Sequence, residues 1–300
     1  MPTSQFKKIT STLLISAIFS GVTCNSFAFD FNKLKDVIKE QQQDKAAETN
    51  ANTASTDANT ANQPVINWKR PSKAEEIALG REITGNILGA APLVKDSALQ
   101  KYVNSVGRWV ASQSERADLP WHFGVIESDD LNAFSAPGGY VLITKGLYRK
   151  LENEAQLAGV LGHEIAHVVK KHQLKVLQKQ QLLNIGANFL GGKLGKNNES
   201  IQKIIGSGAE ISARSLDKDA EFEADSVGMV LATRAGYEPF GLSEVLQTLG
   251  QTNPADSSVA LLFKTHPAPD ERLAKLGDAV GSSMDNVTGK TLAERLYKLK

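Results

Sequence analysis

The sequence contains a single cysteine and carries almost no net charge. Cys24 is the only cysteine among the 300 residues, and it lies close to the N-terminus. If that segment is removed during export, the remaining chain cannot form disulfides and can hold a metal ion only through histidine and carboxylate side chains. A net charge of +1 with 22% charged residues does not indicate the excess of positive charge that is typical of nucleic-acid binding.

The N-terminal segment predicts export. Two lysines precede an apolar run from Ile9 to Gly21, which is too short and too rich in Ser and Thr to span a membrane comfortably. Residues 26–28, Ser-Phe-Ala, offer small side chains at the two positions that a signal peptidase reads, so we expect cleavage after Ala28. An uncleaved anchor is one alternative. Lipidation of Cys24 is another, less favoured because Thr23 precedes the cysteine.

The chain is expected to divide into a signal peptide at 1–28, a short helix and disordered linker at 29–64, and one domain at 65–300. Residues 44–64 have no large apolar side chain, so burial cannot offset the entropy lost on ordering them. Periodicity and turn residues in the domain predict strands at 121–127, 132–136 and 140–144. Helices are predicted at about 72–88, 97–114, 157–189, 201–212, 218–234, 242–249, 270–280 and 291–299. The fold class is therefore α+β, mostly helical with one small sheet.

Residues 163–167 spell H-E-x-x-H within the longest predicted helix, which runs from 157 to 172 and continues, straight or kinked, to 189. Residues four apart share a helix face, so His163 and His167 can bind one metal ion while Glu164 reaches a water molecule on it. Gly159 and Gly162 weaken an isolated helix but permit close packing against a neighbour. The alternative is a pair of core histidines without a metal.

A second acidic segment offers a third metal ligand. Glu221 and Asp225 are four residues apart on a predicted helix and share a face, whereas Glu223 lies about 200° round the helix from Glu221 and points elsewhere. If Glu221 binds the metal, Asp225 can accept a hydrogen bond from a ligand histidine. The alternative is an ordinary solvated acidic face.

The remaining histidines differ in their expected surroundings. His172 is five residues beyond His167, about 140° away on a helical wheel, and is expected on the surface. His122 begins a strand, and the sequence suggests no partner for it. His266 precedes a proline and a helix that carries Arg272, so it can point into a cleft or serve as an ordinary loop residue.

These segments together resemble metallopeptidase family forty-eight, in particular its short exported bacterial members. The resemblance covers about residues 70–280. It implies a zincin (gluzincin-type) metalloprotease domain with a small sheet beside the H-E-x-x-H helix. The matching segments, in family order, are Asn132–Gly139, Leu161–His167, Glu221–Asp225 and His266-Pro267 with Arg272. The multiple membrane spans and the helical-repeat tail of other members have no counterpart in the sequence.

The resemblance also implies a set of residue roles. It implies one zinc ion per chain, bound by His163, His167 and Glu221. Glu164 matches the general base, and Asp225 matches a catalytic acid or an acid that supports a ligand. His266 matches a residue that either caps the metal as an inhibitory plug or stabilises the reacting oxyanion.

Two further segments carry functional hypotheses. Asn132, Ala133 and Phe134 are candidate substrate-binding residues, because this strand can pair with an extended substrate backbone. Plain hairpin packing is an equally good interpretation of the strand. The glycine-rich residues 191–198 lie between the two metal-binding helices and are a candidate lid.

The leading hypothesis is a zinc-dependent endopeptidase of the periplasm that degrades unfolded or misassembled envelope proteins. The alternative is a chaperone-like outer-membrane protein assembly factor whose peptidase activity is restrained. A metal-free binding module is disfavoured, because every catalytic residue type is present. The expected partners are unfolded or misassembled envelope proteins and no nucleic acid. Peripheral association with the outer membrane or its assembly machinery is left open.

Overall fold

The computed structural model describes Asn67 and residues 70–180, 217–253, 255–284 and 286–299. The expected signal peptide and linker lie outside the described residues. So do the helix continuation at 181–189, the helix at 201–212 and the candidate lid at 191–198. All of these stay predictions.

The described residues form a three-stranded sheet surrounded by helices, which confirms the α+β expectation. The central strand β3 is parallel to β1 and antiparallel to β2, giving the order β1-β3-β2. The strands are β1 His122–Ile126, β2 Ala133–Ala136 and β3 Tyr140–Thr144. The α-helices are α1 Lys73–Ala90, α2 Ser97–Ala111, α3 Lys145–Lys150, α4 Glu154–Val169, α5 at residues 172–180, α6 Lys218–Arg234, α7 Gly241–Gly250, α8 Leu262–Thr265 and α9 Pro269–Val280.

Each face of the sheet packs against different helices. Val141 and Ile143 of β3 join a large cluster with the apolar side of α2 and with α4. Leu142, between them in sequence, belongs to a smaller cluster with Leu79 and Ile83 of α1. This separation follows from the alternation of side chains along a strand. The sheet therefore lies between α1 on one face and the α4 helix on the other.

The turn between β2 and β3 fits tightly against α1. Gly138 and Gly139 have φ values of 80° and 101°, in the left-handed region that favours glycine. A Cβ on Gly138 would lie 2.5 Å from Cα of Ile77. At the start of α1, Ser72 and Glu75 each bond the other's backbone N–H, the capping box that the sequence predicts.

Helix α4 is buried along its whole length. Gly159 and Gly162 allow the backbones of two other helices to approach, as the sequence predicts. A Cβ on Gly159 would lie 2.6 Å from the backbone nitrogen of Leu242 at the start of α7, and a Cβ on Gly162 would lie 2.6 Å from the carbonyl oxygen of Gly228 in α6. The contact is reciprocal, because a Cβ on Gly228 would lie 2.5 Å from the backbone nitrogen of His163.

Helix α4 ends at Val169, well before residue 189. Lys170 and Lys171 form a turn, and Lys171 has a left-handed φ of 60°. The chain becomes helical again at residue 172. The angular positions of a helical wheel continued from α4 therefore do not apply beyond Val169, and the surface position expected for His172 no longer follows.

The prediction of a helix at 291–299 is wrong. The segment contains only a 3-10 turn at Ala293–Arg295, and Leu292 before it has a left-handed φ of 52°. The carbonyl oxygen of Tyr297 accepts a hydrogen bond from the Tyr148 hydroxyl (2.7 Å). Arg295 forms an ion pair with the buried Glu154 at the start of α4 (3.2 Å). These tertiary contacts outweigh the local helix propensity.

In the described ranges, the helices lack the combination of length and apolar composition that crossing a bilayer requires.

The contact between Gly162 and Gly228 generates a stability prediction. Gly228→Ala is expected to reduce the free energy of unfolding by about 1–3 kcal/mol, because the new methyl group must push α4 and α6 apart. Gly85→Ala is the matched control, since a Cβ there meets nothing within 4 Å. It is expected to raise the free energy of unfolding by as much as about 1 kcal/mol. Thermal unfolding followed by circular dichroism compares the two variants. An unchanged unfolding temperature for Gly228→Ala would show that α4 and α6 separate without cost.

Candidate metal centre

Four side chains from three parts of the fold converge at one buried point. His163 and His167 lie on successive turns of α4, Glu221 lies in the first turn of α6, and His266 follows α8. Their donor atoms all lie within 4.8 Å of one another, and the three residues other than His266 are buried. The structure therefore brings together the three ligands expected from the sequence and places His266, which the resemblance also assigns to the site, beside them.

The donor atoms face one another rather than the surrounding protein. Nε2 of His163 and Nε2 of His167 are 3.0 Å apart. The carboxylate oxygens of Glu221 lie 3.6 Å and 3.5 Å from these two nitrogens. Oε1 of Glu221 is buried and has no hydrogen-bond partner among the described residues. A buried carboxylate oxygen without a partner is costly, and a bound cation satisfies it, so these residues fit a metal ion.

Burial and neighbouring charges set the protonation of two candidate ligands. Burial holds the pKa of His167 well below its usual range, which keeps the ring neutral near pH 7. Burial opposes the charged form of Glu221, but His266 and His167 outweigh it and hold the pKa of that carboxyl well below its usual range. A neutral imidazole and an ionised carboxylate are the forms that bind a divalent metal.

Asp225 supports His163 from the side opposite the candidate metal position. Oδ1 of Asp225 lies 2.8 Å from Nδ1 of His163. Nη2 of Arg272 also lies 3.2 Å from this Nδ1, but the carboxylate is closer and can only accept, so in the neutral ring the proton is on Nδ1 and the lone pair on Nε2. Arg272 of α9 donates from Nε and Nη2 to the two oxygens of Asp225 at 2.9 Å and 2.5 Å. The sequence places Arg272 near the site but does not predict this buried ion pair.

The prediction that His172 lies on the surface is wrong. His172 is only 3% exposed, and its Nδ1 lies 2.9 Å from Nδ1 of His167. The turn at Lys170 and Lys171 changes the direction of the chain, so the angular offset of a continuous helix does not apply. The prediction that Glu223 points away from Glu221 agrees with the structure, since Oε2 of Glu223 contacts Nε2 of His172 at 3.2 Å.

A cavity of about 30 Å³ adjoins the centre. Glu164 lines it beside His163 and His266, together with apolar side chains of α7. Asn132 and Ala133 also line it, and Nδ2 of Asn132 is buried without a hydrogen-bond partner among the described residues. Phe134 differs, because its side chain packs in the cluster between the sheet and α1. Phe134 can therefore meet a ligand in this cavity only through its backbone.

His266 directly contacts Glu221, the expected carboxylate ligand. Its Nδ1 lies 2.6 Å from Oε2 of Glu221. Burial favours the neutral ring, but the charge of Glu221 and this hydrogen bond outweigh burial and raise the pKa of His266.

His122, the remaining histidine, stacks on the ring of Tyr140 with a centroid separation of 5.1 Å.

Residues 97–280 match the family model described as Peptidase family M48. The beta-barrel assembly-enhancing protease of Escherichia coli (strain K12) is 32% identical over 212 residues, which are 68% of this chain and 43% of that protein. Metalloprotease YcaL of the same organism is 27% identical over 165 residues, 54% of this chain and 63% of that protein.

Mitochondrial metalloendopeptidase OMA1 of Schizosaccharomyces pombe is 25% identical over 175 residues, 58% of this chain and 51% of that protein. The chain thus spans less than half the length of the assembly-enhancing protease and less than two thirds of the other two relatives. The four segments that carry the family resemblance all lie inside the matched residues 97–280.

The geometry of the two acidic side chains predicts different effects on metal retention. Purified protein is expected to hold about one metal ion per chain. Glu221→Gln is expected to lose most of it, because the amide cannot replace the charged ligand. Glu223→Gln removes the same charge two residues away and is expected to retain far more. Elemental analysis after gel filtration measures both, and equal losses would show that the ligand has been misassigned.

Proposed function

The chain belongs to peptidase family M48, and we propose from this that it is a zinc-dependent endopeptidase of the bacterial cell envelope that acts on unfolded or misassembled envelope proteins. The observation that carries the proposal is the convergence of His163, His167 and Glu221, with Glu164 on the adjoining cavity. Two histidines and one carboxylate are a common ligand set of catalytic zinc, which leaves one position for water or substrate.

When zinc is bound, it polarises the substrate carbonyl and makes water more acidic. Glu164 then acts as general base: a carboxylate oxygen takes a proton from the attacking water and passes it to the leaving amine nitrogen. Asp225 keeps the proton of His163 on Nδ1, and Arg272 holds Asp225 in place. The apolar residues around Glu164 exclude bulk water from the proton transfer.

Asn132 supports the proposal that the substrate is a polypeptide. Its Nδ2, which has no partner within the part of the chain that the structure describes, is a donor available to a peptide carbonyl oxygen inside the cavity. Strand β2 is an edge strand of the described sheet, and a substrate in extended conformation can pair with such an edge. All four residues of β2 are buried, and Gln173 of α5 donates to Ser135 at 2.8 Å. We propose that only an unfolded segment is flexible enough to reach this strand.

The position of His266 favours the hypothesis that the activity is restrained. With Nδ1 on Glu221 and its ring among the ligands, His266 occupies space that a water molecule or substrate needs. This geometry supports the role of an inhibitory plug. It also supports the second candidate function, an assembly factor for outer-membrane proteins whose peptidase activity is held in check.

The cellular setting of the proposal comes from two sources. Residues 1–28 predict export to the periplasm, and the relative from Escherichia coli is named for enhancing beta-barrel assembly. We propose by analogy that this chain acts on envelope proteins and associates peripherally with the outer membrane or its assembly machinery. Lipid anchoring through Cys24 stays the less favoured alternative.

The role of Glu164 provides the main test of the proposed function. Glu164→Gln keeps the size of the side chain but removes the base, so cleavage of unfolded casein is expected to fall by roughly 10²–10⁴-fold. The zinc content and unfolding temperature should match those of the unmodified protein, since Glu164 is not among the clustered donors. Casein cleavage that persists in the purified variant would contradict the proposal. A variant that loses cleavage but still supports outer-membrane protein assembly in cells would favour the second candidate function.

The two roles of His266 predict opposite effects of His266→Ala. As a plug, its removal is expected to increase casein cleavage, because the reacting position becomes accessible. As a stabiliser of the oxyanion, its removal would reduce turnover by roughly a hundredfold or more. Zinc content measured in parallel shows whether any change reflects loss of the metal. Strongly reduced turnover with unchanged zinc would rule out a purely inhibitory role.

A further inference from the structure

The two histidine ligands on α4 are supported in different ways. Nδ1 of His163 faces a carboxylate, that of Asp225. Nδ1 of His167 faces another imidazole, that of His172, at 2.9 Å. An imidazole nitrogen can donate or accept, so the groups around this second contact determine which ring donates the hydrogen bond.

We propose that His172 is a positioning residue that holds His167 in the tautomer and orientation that bind the metal, and that Glu223 in turn fixes His172. The proposal rests on the proposed function, because it concerns the same metal position. Neither His172 nor Glu223 belongs to the group of converging donors.

Only one assignment of protons leaves Nε2 of His167 free for a metal and also satisfies the contacts of His172 with His167 and Glu223. His167 presents Nε2 to the metal position, 3.0 Å from Nε2 of His163, so its proton must be on Nδ1. Nδ1 of His172 then accepts a hydrogen bond from the Nδ1–H of His167, so the proton of His172 is on Nε2. That nitrogen faces Oε2 of Glu223 at 3.2 Å, and a carboxylate can only accept.

The reverse assignment fails at both ends. If Nδ1 of His172 donated to His167, the proton of His167 would be on Nε2, and that nitrogen could not bind a metal. The lone pair of His172 Nε2 would then face the negative charge of Glu223. The direction of donation is therefore from His167 to His172 to Glu223, which increases the basicity of the liganding nitrogen.

The fold holds His172 in this position through the turn after α4. Nζ of Lys171 contacts Oε1 of the buried Glu76 at 2.6 Å, and Nη2 of Arg116 contacts Oε2 of the same carboxylate at 2.7 Å. Arg116 also donates from Nη1 to the carbonyl oxygen of Val168 at 3.2 Å. These contacts stabilise the left-handed conformation of Lys171. On an uninterrupted helix, His172 would point about 140° away from His167.

Two substitutions of His172 separate positioning from simple packing. His172→Leu fills a similar volume but cannot accept a hydrogen bond, so the zinc dissociation constant is expected to rise about 10–100-fold. His172→Asn places an oxygen near the former Nδ1, so it is expected to restore most of that affinity. Competition with a chromogenic zinc chelator measures the constants. Unfolding of the metal-free proteins, followed by circular dichroism, measures the stability of the fold.

Glu223 provides a variant that does not disturb the core, because its side chain is 45% exposed. Glu223→Gln is expected to weaken zinc binding severalfold without changing the unfolding temperature of the metal-free protein. Asp278→Asn, at an exposed position of α9, is the control for loss of one negative charge and should leave zinc binding unchanged. In the cobalt-substituted protein, His172→Leu should shift the visible absorption bands while Asp278→Asn should not.

The possible outcomes distinguish this inference from the proposed function. If the unmodified protein binds zinc tightly but His172→Leu and Glu223→Gln bind it equally well, the positioning role is wrong and the metal centre stands. If His172→Asn loses affinity as fully as His172→Leu, in proportion to lost stability, His172 is only a packing residue. If the unmodified protein binds no zinc, both the inference and the proposed function fail.

Discussion

Helices α4 and α6 approach each other so closely that the backbone of each occupies the space of a side chain on the other. Gly162 and Gly228 make this approach possible, and a Cβ on either would lie within 2.6 Å of backbone atoms of the partner helix. Gly162 immediately precedes His163, and Gly228 lies seven residues, two helical turns, after Glu221. The distance between the two histidines and the carboxylate of the candidate metal centre is therefore set by backbone contact rather than by flexible side chains.

A second constraint is the balance of buried charge around the site. Glu221, Asp225 and Arg272 are each less than 5% exposed, and isolated charges at such positions would be strongly destabilising. Arg272 neutralises Asp225 through two hydrogen bonds, whereas Oε1 of Glu221 has no such partner among the described residues. The Glu221 carboxylate, with this unpaired oxygen, thus faces the two histidine nitrogens, which is where the proposal places zinc.

Local features of the site and fold were predictable from the sequence because they depend on regular geometry. The H-E-x-x-H spacing, the shared face of Glu221 and Asp225, and the opposite direction of Glu223 all follow from 3.6 residues per turn. The capping box at Ser72 and the close packing at Gly162 follow from equally local rules. The family resemblance, which depends on four segments in order, correctly indicated membership and fold class.

Features that depend on tertiary contacts were not predictable in this way. His172 is buried because Lys171, a non-glycine residue, adopts a left-handed φ that Glu76 and Arg116 stabilise from distant parts of the chain. The segment at 291–299 has adequate helix propensity, but its contacts with α3 and α4 select a path with only a short 3-10 turn. The ion pair of Arg272 with Asp225 joins residues 47 positions apart, and no local pattern indicates it.

The central claim is that α4 and α6 together hold one zinc ion through His163, His167 and Glu221. A crystal structure of the zinc-loaded protein, with anomalous diffraction measured on both sides of the zinc absorption edge, tests it most directly. The account predicts one strong anomalous peak per chain, about 2.0–2.2 Å from Nε2 of each histidine and from an oxygen of Glu221. A peak coordinated by Glu223 instead of Glu221, or no peak between the two helices, would contradict it.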